Sequence, residues 1–208
     1  MRKLLYIAFI VFYSQVKAQP GKEAWHWYFG NNCKIDFSTG IPVPGIGPSA
    51  LTSYDECSSI SDANTGQYLF SVGYNKAFNK NDVVMYNGAG LKDYDNQGSL
   101  IIPKPGSTNL YYIITNDPVA GYNHGTLYSV VDMSLQGGLG AITIKNKILT
   151  PPPTISNLTG VRHCNGTDYW IINHTYNSNT FNAYLMITEC FDNIFFVFKN
   201  FGVIKGTF

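Results

Sequence analysis

Residues 98–115 read GSLIIPKPGSTNLYYIIT. Two short runs of β-branched and aromatic residues flank Pro105-Gly106, the composition of two strands joined by a tight turn. A similar unit recurs at residues 158–175, LTGVRHCNGTDYWIINHT, around Asn165-Gly166. A looser copy lies at residues 56–72, ECSSISDANTGQYLFSV, where Asp62 to Gly66 separates the two runs. One hairpin used three times predicts a repeat architecture, in which function resides in a surface and no catalytic constellation is required.

Each hairpin is followed by further strand material. After the first come NKAF and DVVMY; after the second, TLYSVVDM, a Gly-Gly turn and AITIKNKIL; after the third, FNAYLMIT and NIFFVF. Helical periodicity is nearly absent beyond residue 20, so the chain reads as all-β. The blocks run about 56–98, 99–153 and 154–208, with Pro151-Pro152-Pro153 at the second boundary. Four-stranded antiparallel blocks of this length match the blades of β-propellers, whose repeats span roughly 40 to 50 residues. Three blades do not close a ring, which predicts an incomplete ring and an N-terminal piece of a longer protein. WHWYFG and KIDF add one or two strands ahead of the blocks. Open sheet edges predict poor solubility for residues 19–208 alone.

The Asn165-Gly166 hairpin can be read in register. A two-residue type I′ loop sets Cys164 opposite Thr167, His163 opposite Asp168, Arg162 opposite Tyr169 and Val161 opposite Trp170. Val161, Trp170 and Ile172 then share one face, which the period-2 pattern assigns to the core.

Composition supplies the address. Arg2 and Lys3 precede an apolar run from Leu4 to Tyr13, and Val16-Lys17-Ala18 supplies the small residues a signal peptidase reads. Such a run covers about half of a hydrocarbon core roughly 30 Å thick, so residues 1–18 read as a signal peptide cleaved between Ala18 and Gln19. The mature chain, 19–208, carries no later membrane span. Charged residues make up 13% and the net charge is +1, without a Lys/Arg cluster, which argues against nucleic acid as a partner. Four cysteines in an exported chain allow two disulfides. Cys33 with Cys57 is the simpler pairing. Cys164 and Cys190 fall on strands about 9.5 Å apart, whereas a disulfide needs Cα atoms within about 7 Å.

WYFGNNCKIDFSTG, IIPKPGSTNLYYIIT, LYSVVDMSLQGGLGAITIKNKIL and TGVRHCNGTDYWIINHTYNSNTFNAYLM together resemble the N-terminal propeller-like region of large Bacteroidota surface proteins. Many of those end in a gliding-motility-associated domain that directs type IX secretion. The resemblance runs from Trp25 to Phe208 and is most specific at VDMSLQGGLG. It implies a propeller-like fold, display at the bacterial cell surface, and a role in adhesion or recognition, with no catalytic residues to carry over.

Chemistry-bearing residues are sparse. His163 opposite Asp168 lacks a third member of a catalytic set and reads as a cross-strand polar pair. Asp93 and Asp95, in DYDNQG, partly imitate a calcium loop, but Lys104 stands where the bidentate Glu belongs. A propeller-type glycoside hydrolase needs two carboxylates across a sugar. Asp55, Glu56, Asp62, Asp132 and Glu189 lie mostly in turns and single out no pair. Sequons begin at Asn157, Asn165 and Asn173. The chain is therefore expected to be a non-enzymatic surface module without a cofactor, binding a glycan or a protein through loops rich in Tyr, Asn and Gly. A glycoside hydrolase and a structural spacer of a surface fibre are the alternatives.

Overall fold

The computed structural model describes residues 21–30, 32–45, 51, 57–93, 98–116 and 124–188. The proposed leader lies outside them. Strands β1 (His26–Phe29), β2 (Cys33–Asp36) and β3 (Val43–Pro44) form a small sheet. The first block supplies β4 (Ser58–Ser61), β5 (Tyr68–Gly73), β6 (Lys76–Asn79) and β7 (Val84–Ala89). The second supplies β8 (Ser99–Pro103), β9 (Leu110–Asn116), β10 (Thr126–Asp132) and β11 (Ala141–Thr150). The third supplies β12 (Thr154–Arg162), β13 (Tyr169–Thr175) and β14 (Phe181–Met186). Residues 193–198, read as a fourth strand there, lie outside the described residues. The fold is all-β, and no helix among the described residues is long and apolar enough to cross a membrane.

The opening stretch now has its physical explanation. Along β8 and β9, neighbouring side chains enter opposite hydrophobic clusters. Ile101, Tyr111 and Ile113 pack with Ile60, Phe70, Val72 and Met85 of the first block. Ile102, Tyr112 and Ile114 pack with Leu158, Ile171, Tyr184 and Met186 of the third. The second block is buried on both faces, so β8 and β9 read as continuous apolar runs instead of alternating ones. Each large side chain buried this way contributes about 2 kcal/mol. Within the β8–β9 turn, Ser107 N–H donates to the Lys104 carbonyl at 3.1 Å, and Gly106 takes φ 74° at the position where a type II turn demands it.

A buried polar network crosses between the second and third blocks. Asn173 Nδ2 donates to Thr126 Oγ1 at 2.6 Å and to Thr150 Oγ1 at 2.7 Å. Thr126 Oγ1 donates to Asn116 Oδ1 at 2.5 Å, Asn182 Nδ2 donates to Asn173 Oδ1 at 2.8 Å, and Thr150 shares a 2.5 Å hydrogen bond with the Tyr184 hydroxyl. Partners this well matched permit polar groups in a dry interface and fix how the two sheets align.

Three expectations change. The first two blocks are not separate sheets: a parallel bridge between Ala141 of β11 and Tyr86 of β7 joins them into one eight-stranded sheet. The Asn165-Gly166 hairpin keeps the expected register, with Val161 opposite Trp170 and Arg162 opposite Tyr169. Its loop, however, is not type I′. Only Gly166 has positive φ, and Gly166 N–H donates to the His163 carbonyl at 2.9 Å inside a longer loop closed by His163 N–H to the Asp168 carbonyl at 2.7 Å. Finally, Val161, Trp170 and Ile172 do share a face, but that face points away from the second block, leaving Val161 56% exposed. The inward face belongs to Leu158, Gly160, Ile171 and Tyr184. A Cβ on Gly160 would approach Leu100 Cδ2 to 2.7 Å, so the missing side chain lets the sheets close together.

The small sheet is tied to the first block beside β4. Ser59 Oγ donates to the His26 carbonyl at 2.9 Å and accepts Tyr28 N–H at 3.2 Å. Ser61 N–H donates to the Glu23 carbonyl at 2.8 Å. Ser58 Oγ meets Ser99 Oγ at 2.9 Å, bringing β4 beside β8, and β12 lies against β8 in turn. The first strand of every block, together with the entry to β1, thus gathers in one region.

Candidate functional site

Where these strands gather, the structure forms an open cavity of about 460 Å³. Every block contributes to its wall: Ser59 and Ile60 from β4, Ile101 and Pro103 from β8, Gly160 and Arg162 from β12, and Tyr169 from β13. Trp27 of β1 and Gly21, Glu23 and Ala24 from the segment before it complete the lining.

Trp27 is 50% exposed, and its ring centroid lies 5.0 Å from that of Phe37, which supports it. Arg162, the last residue of β12, is held by the strand pairing foreseen from the sequence. Its Nη2 donates to the Tyr169 hydroxyl at 2.8 Å, its Nε at 3.2 Å, and the guanidinium carbon lies 5.4 Å from the Tyr169 ring centroid. The same Nη2 forms an ion pair with Glu23 Oε1. Arg162, Glu23 and Tyr169 therefore form a polar cluster in which charge is neutralised locally, next to a supported indole. Such a wall offers an apolar surface for stacking and fixed donors and acceptors at its margin, which suits a polyhydroxylated ligand more than an ion.

Residues singled out from the sequence serve other ends. The His163 and Asp168 side chains both bond Asn165: His163 Nδ1 accepts its N–H at 3.2 Å, and Asp168 Oδ2 accepts from its Nδ2 at 2.7 Å. Asp62 Oδ1 accepts the N–H groups of Asn64 and Thr65 at 3.0 and 2.7 Å and the Thr65 hydroxyl at 2.9 Å, an Asx turn. Its carboxyl is held below the usual range, chiefly by the Thr65 N–H. Asp132 Oδ1 accepts from Ser134 N–H and Oγ at 2.8 and 2.6 Å. Asp55, Glu56 and Glu189 lie outside the described residues, as does Asp95. Asp93 is buried, and among the described residues no group of three or more His, Cys, Asp or Glu side chains gathers to hold a metal ion. Cys33 opens β2 opposite Phe29, while Cys57 immediately precedes β4 on the other side of β1. Cys164 is exposed, Cys190 lies outside the described residues, and no disulfide bond joins the described cysteines. Of the sequons, Asn157 and Asn165 are exposed, whereas Asn173 is buried in the polar network.

Glu23, Trp27, Arg162 and Tyr169 were not foreseen as a group. The aromatic density of WHWYFG and the pairing of Arg162 with Tyr169 were visible signals, but nothing local connects residues so far apart in sequence. Comparison with known proteins returns no matching family model, no matching curated protein and no matching solved structure.

Proposed function

We propose that the protein is an exported, non-enzymatic recognition module of barrel-like, all-β build that binds a neutral glycan in the cavity bordered by Trp27 and the Glu23–Arg162–Tyr169 cluster. The observation carrying this reading is the half-exposed, Phe37-supported Trp27 beside a neutralised set of planar polar groups. A sugar ring stacks its C–H face on an indole, while its hydroxyls bond to groups at the rim. The scaffold joins the first two blocks in one eight-stranded sheet whose end strands, β4 and β8, lie beside each other, and the third block packs against it, which favours a nearly closed, barrel-like arrangement over separate blades. A purely binding role is supported by the use of the acids. Glu23 is the one carboxylate among the described residues of the wall, and it is already paired with Arg162, whereas glycoside hydrolysis needs two. Export and surface display rest on the leader-like N-terminus and the resemblance to gliding-motility-associated surface proteins.

The test is titration of the purified protein with a panel of neutral oligosaccharides, beside Trp27→Ala. Binding weakened roughly tenfold or more by that replacement, without product formation, is the expected result. A blank panel alongside specific capture of a protein partner would replace the glycan reading. Turnover of any sugar would overturn the non-enzymatic one.

A further inference from the structure

Strand β1 alternates. Trp27 lines the cavity just described, whereas His26 and Tyr28, on either side of it, line a second cleft of about 480 Å³. We propose that this cleft is a second carbohydrate site, so that one strand presents two glycan sites on opposite faces. The inference goes beyond the function proposed above and does not require the first site to be occupied.

The cleft brings together four parts of the chain: β1 and β2, Gly45 after β3, Gln67 and Tyr68 at the start of β5, and Lys80 and Asn81 after β6. Tyr28 and Tyr68 stack with centroids 4.1 Å apart and planes 13° apart, forming a rigid aromatic wall. The Lys34 ammonium lies 5.6 Å from the Tyr28 ring centroid. Gly45 permits this placement: a Cβ there would fall 2.3 Å from Lys34 Cγ and 2.8 Å from its Cδ, so the lysine stem crosses bare backbone. Asp36 Oδ1 accepts Ser38 N–H at 2.7 Å and lies 3.7 Å from His26 Nδ1.

The charge arrangement selects the ligand class. Lys34 and Lys80 line the cleft together with Asp36. Two ammonium groups and a carboxylate thus share the cleft. An ion of either sign would be attracted by one kind of group and repelled by the other. Sugar hydroxyls donate and accept, so a neutral oligosaccharide satisfies the ammonium donors, the carboxylate acceptors and the amides of Gln67 and Asn81 together. Lys34, Lys80 and the tyrosines are the binding residues, and Gly45 is a positioning residue.

Calorimetric titration with neutral cello-, laminari-, xylo- and manno-oligosaccharides tests the proposal through stoichiometry. Two sites per chain are expected, with affinity nearly indifferent to salt. Gly45→Ala should displace Lys34 and weaken one site roughly tenfold while leaving the melting temperature near that of the parent, and Lys80→Met should weaken the same site. Trp27→Ala should remove only the other. A single site, unaffected by Gly45→Ala and Lys80→Met but lost in Trp27→Ala, would overturn the second site alone. One site lost through Gly45→Ala and indifferent to Trp27→Ala would uphold it and overturn the first. Binding that collapses at high salt, or no binding across the panel, would also overturn it.

Discussion

Asp62 shows how much one side chain can settle. Its Oδ1 gathers three donors within its own turn, and Gly66 N–H closes the loop onto the Asp62 carbonyl at 2.8 Å. Trp25 lies so close over this turn that a Cβ on Gly66 would come within 2.2 Å of the indole, which leaves glycine as the residue that fits. Both the turn and its acceptor were legible in SDANTG, because an Asx turn is a local device. The Trp25 contact was not, since it comes from a distant segment. Asp62 has its folded-state pKa lowered, so its stabilisation is present above the unfolded value near 4 and is lost as pH falls through the folded value. Asp62→Ala should therefore cost about 1 kcal/mol at neutral pH, the solvent-screened worth of these bonds. Urea unfolding across a pH series should show the gap to the parent closing below about pH 4. A gap that stays constant into strong acid would refute the account.

Among the elements, β11 is the least legible. AITIKNKIL reads as one strand, yet Asn146 takes φ 52° and the pairing with β10 shifts register around it. This irregularity serves the junction with β7. Asn146 Nδ2 donates to the Gly90 carbonyl at 2.8 Å, and Asn146 Oδ1 accepts Lys92 N–H at 3.2 Å. Lys145 Nζ reaches Asn87 Oδ1 and the Ala89 carbonyl, both at 2.7 Å, while Asn87 Nδ2 donates to the Ile142 carbonyl at 2.8 Å. Side chains therefore do most of the joining that one backbone bridge begins. Asn146→Ala removes two of these bonds and places a less tolerant residue at positive φ, a cost of about 2 kcal/mol. Hydrogen exchange should quicken in β7 and remain slow in β9; equal effects on both would show that the junction is not a separate unit. The hairpin after β12 carries the complementary lesson. Centring the turn on Asn165-Gly166 was enough to predict its register, but loop type depended on Asn165 Oδ1 accepting Thr167 and Asp168 N–H groups at 3.0 Å each, which favours the longer turn.

At the scale of the molecule, the blocks cohere through the second one, whose strands are apolar on both faces, and through the polar network around Asn173. Removing that amide leaves the buried hydroxyls of Thr126 and Thr150 short of a donor. Asn173→Leu is expected to lose about 3 kcal/mol in equilibrium unfolding. Adding Thr126→Val and Thr150→Val should recover part of the loss, because removing both partners of a buried hydrogen bond costs less than removing one. If the triple variant is less stable than the parent by the sum of three independent losses, the network does not act as a unit. The outward face of the third sheet, with Val161 and Phe181 56% and 47% exposed, shows the converse: an apolar strand pattern states that a face is greasy, not which neighbour covers it.

Local pattern alone specified most of the strands, most of their turns, and the pairing of Arg162 with Tyr169. Those features depend on side-chain alternation and on turn chemistry within a few residues, which any linear reading can reach. The merger of two blocks into one sheet, the inward choice of face around Gly160, and both clefts flanking β1 arose only when distant segments packed together. Glu23 and Arg162 share a cavity because the small sheet docks beside β4 while β12 lies against β8, and no spacing along the chain encodes that meeting.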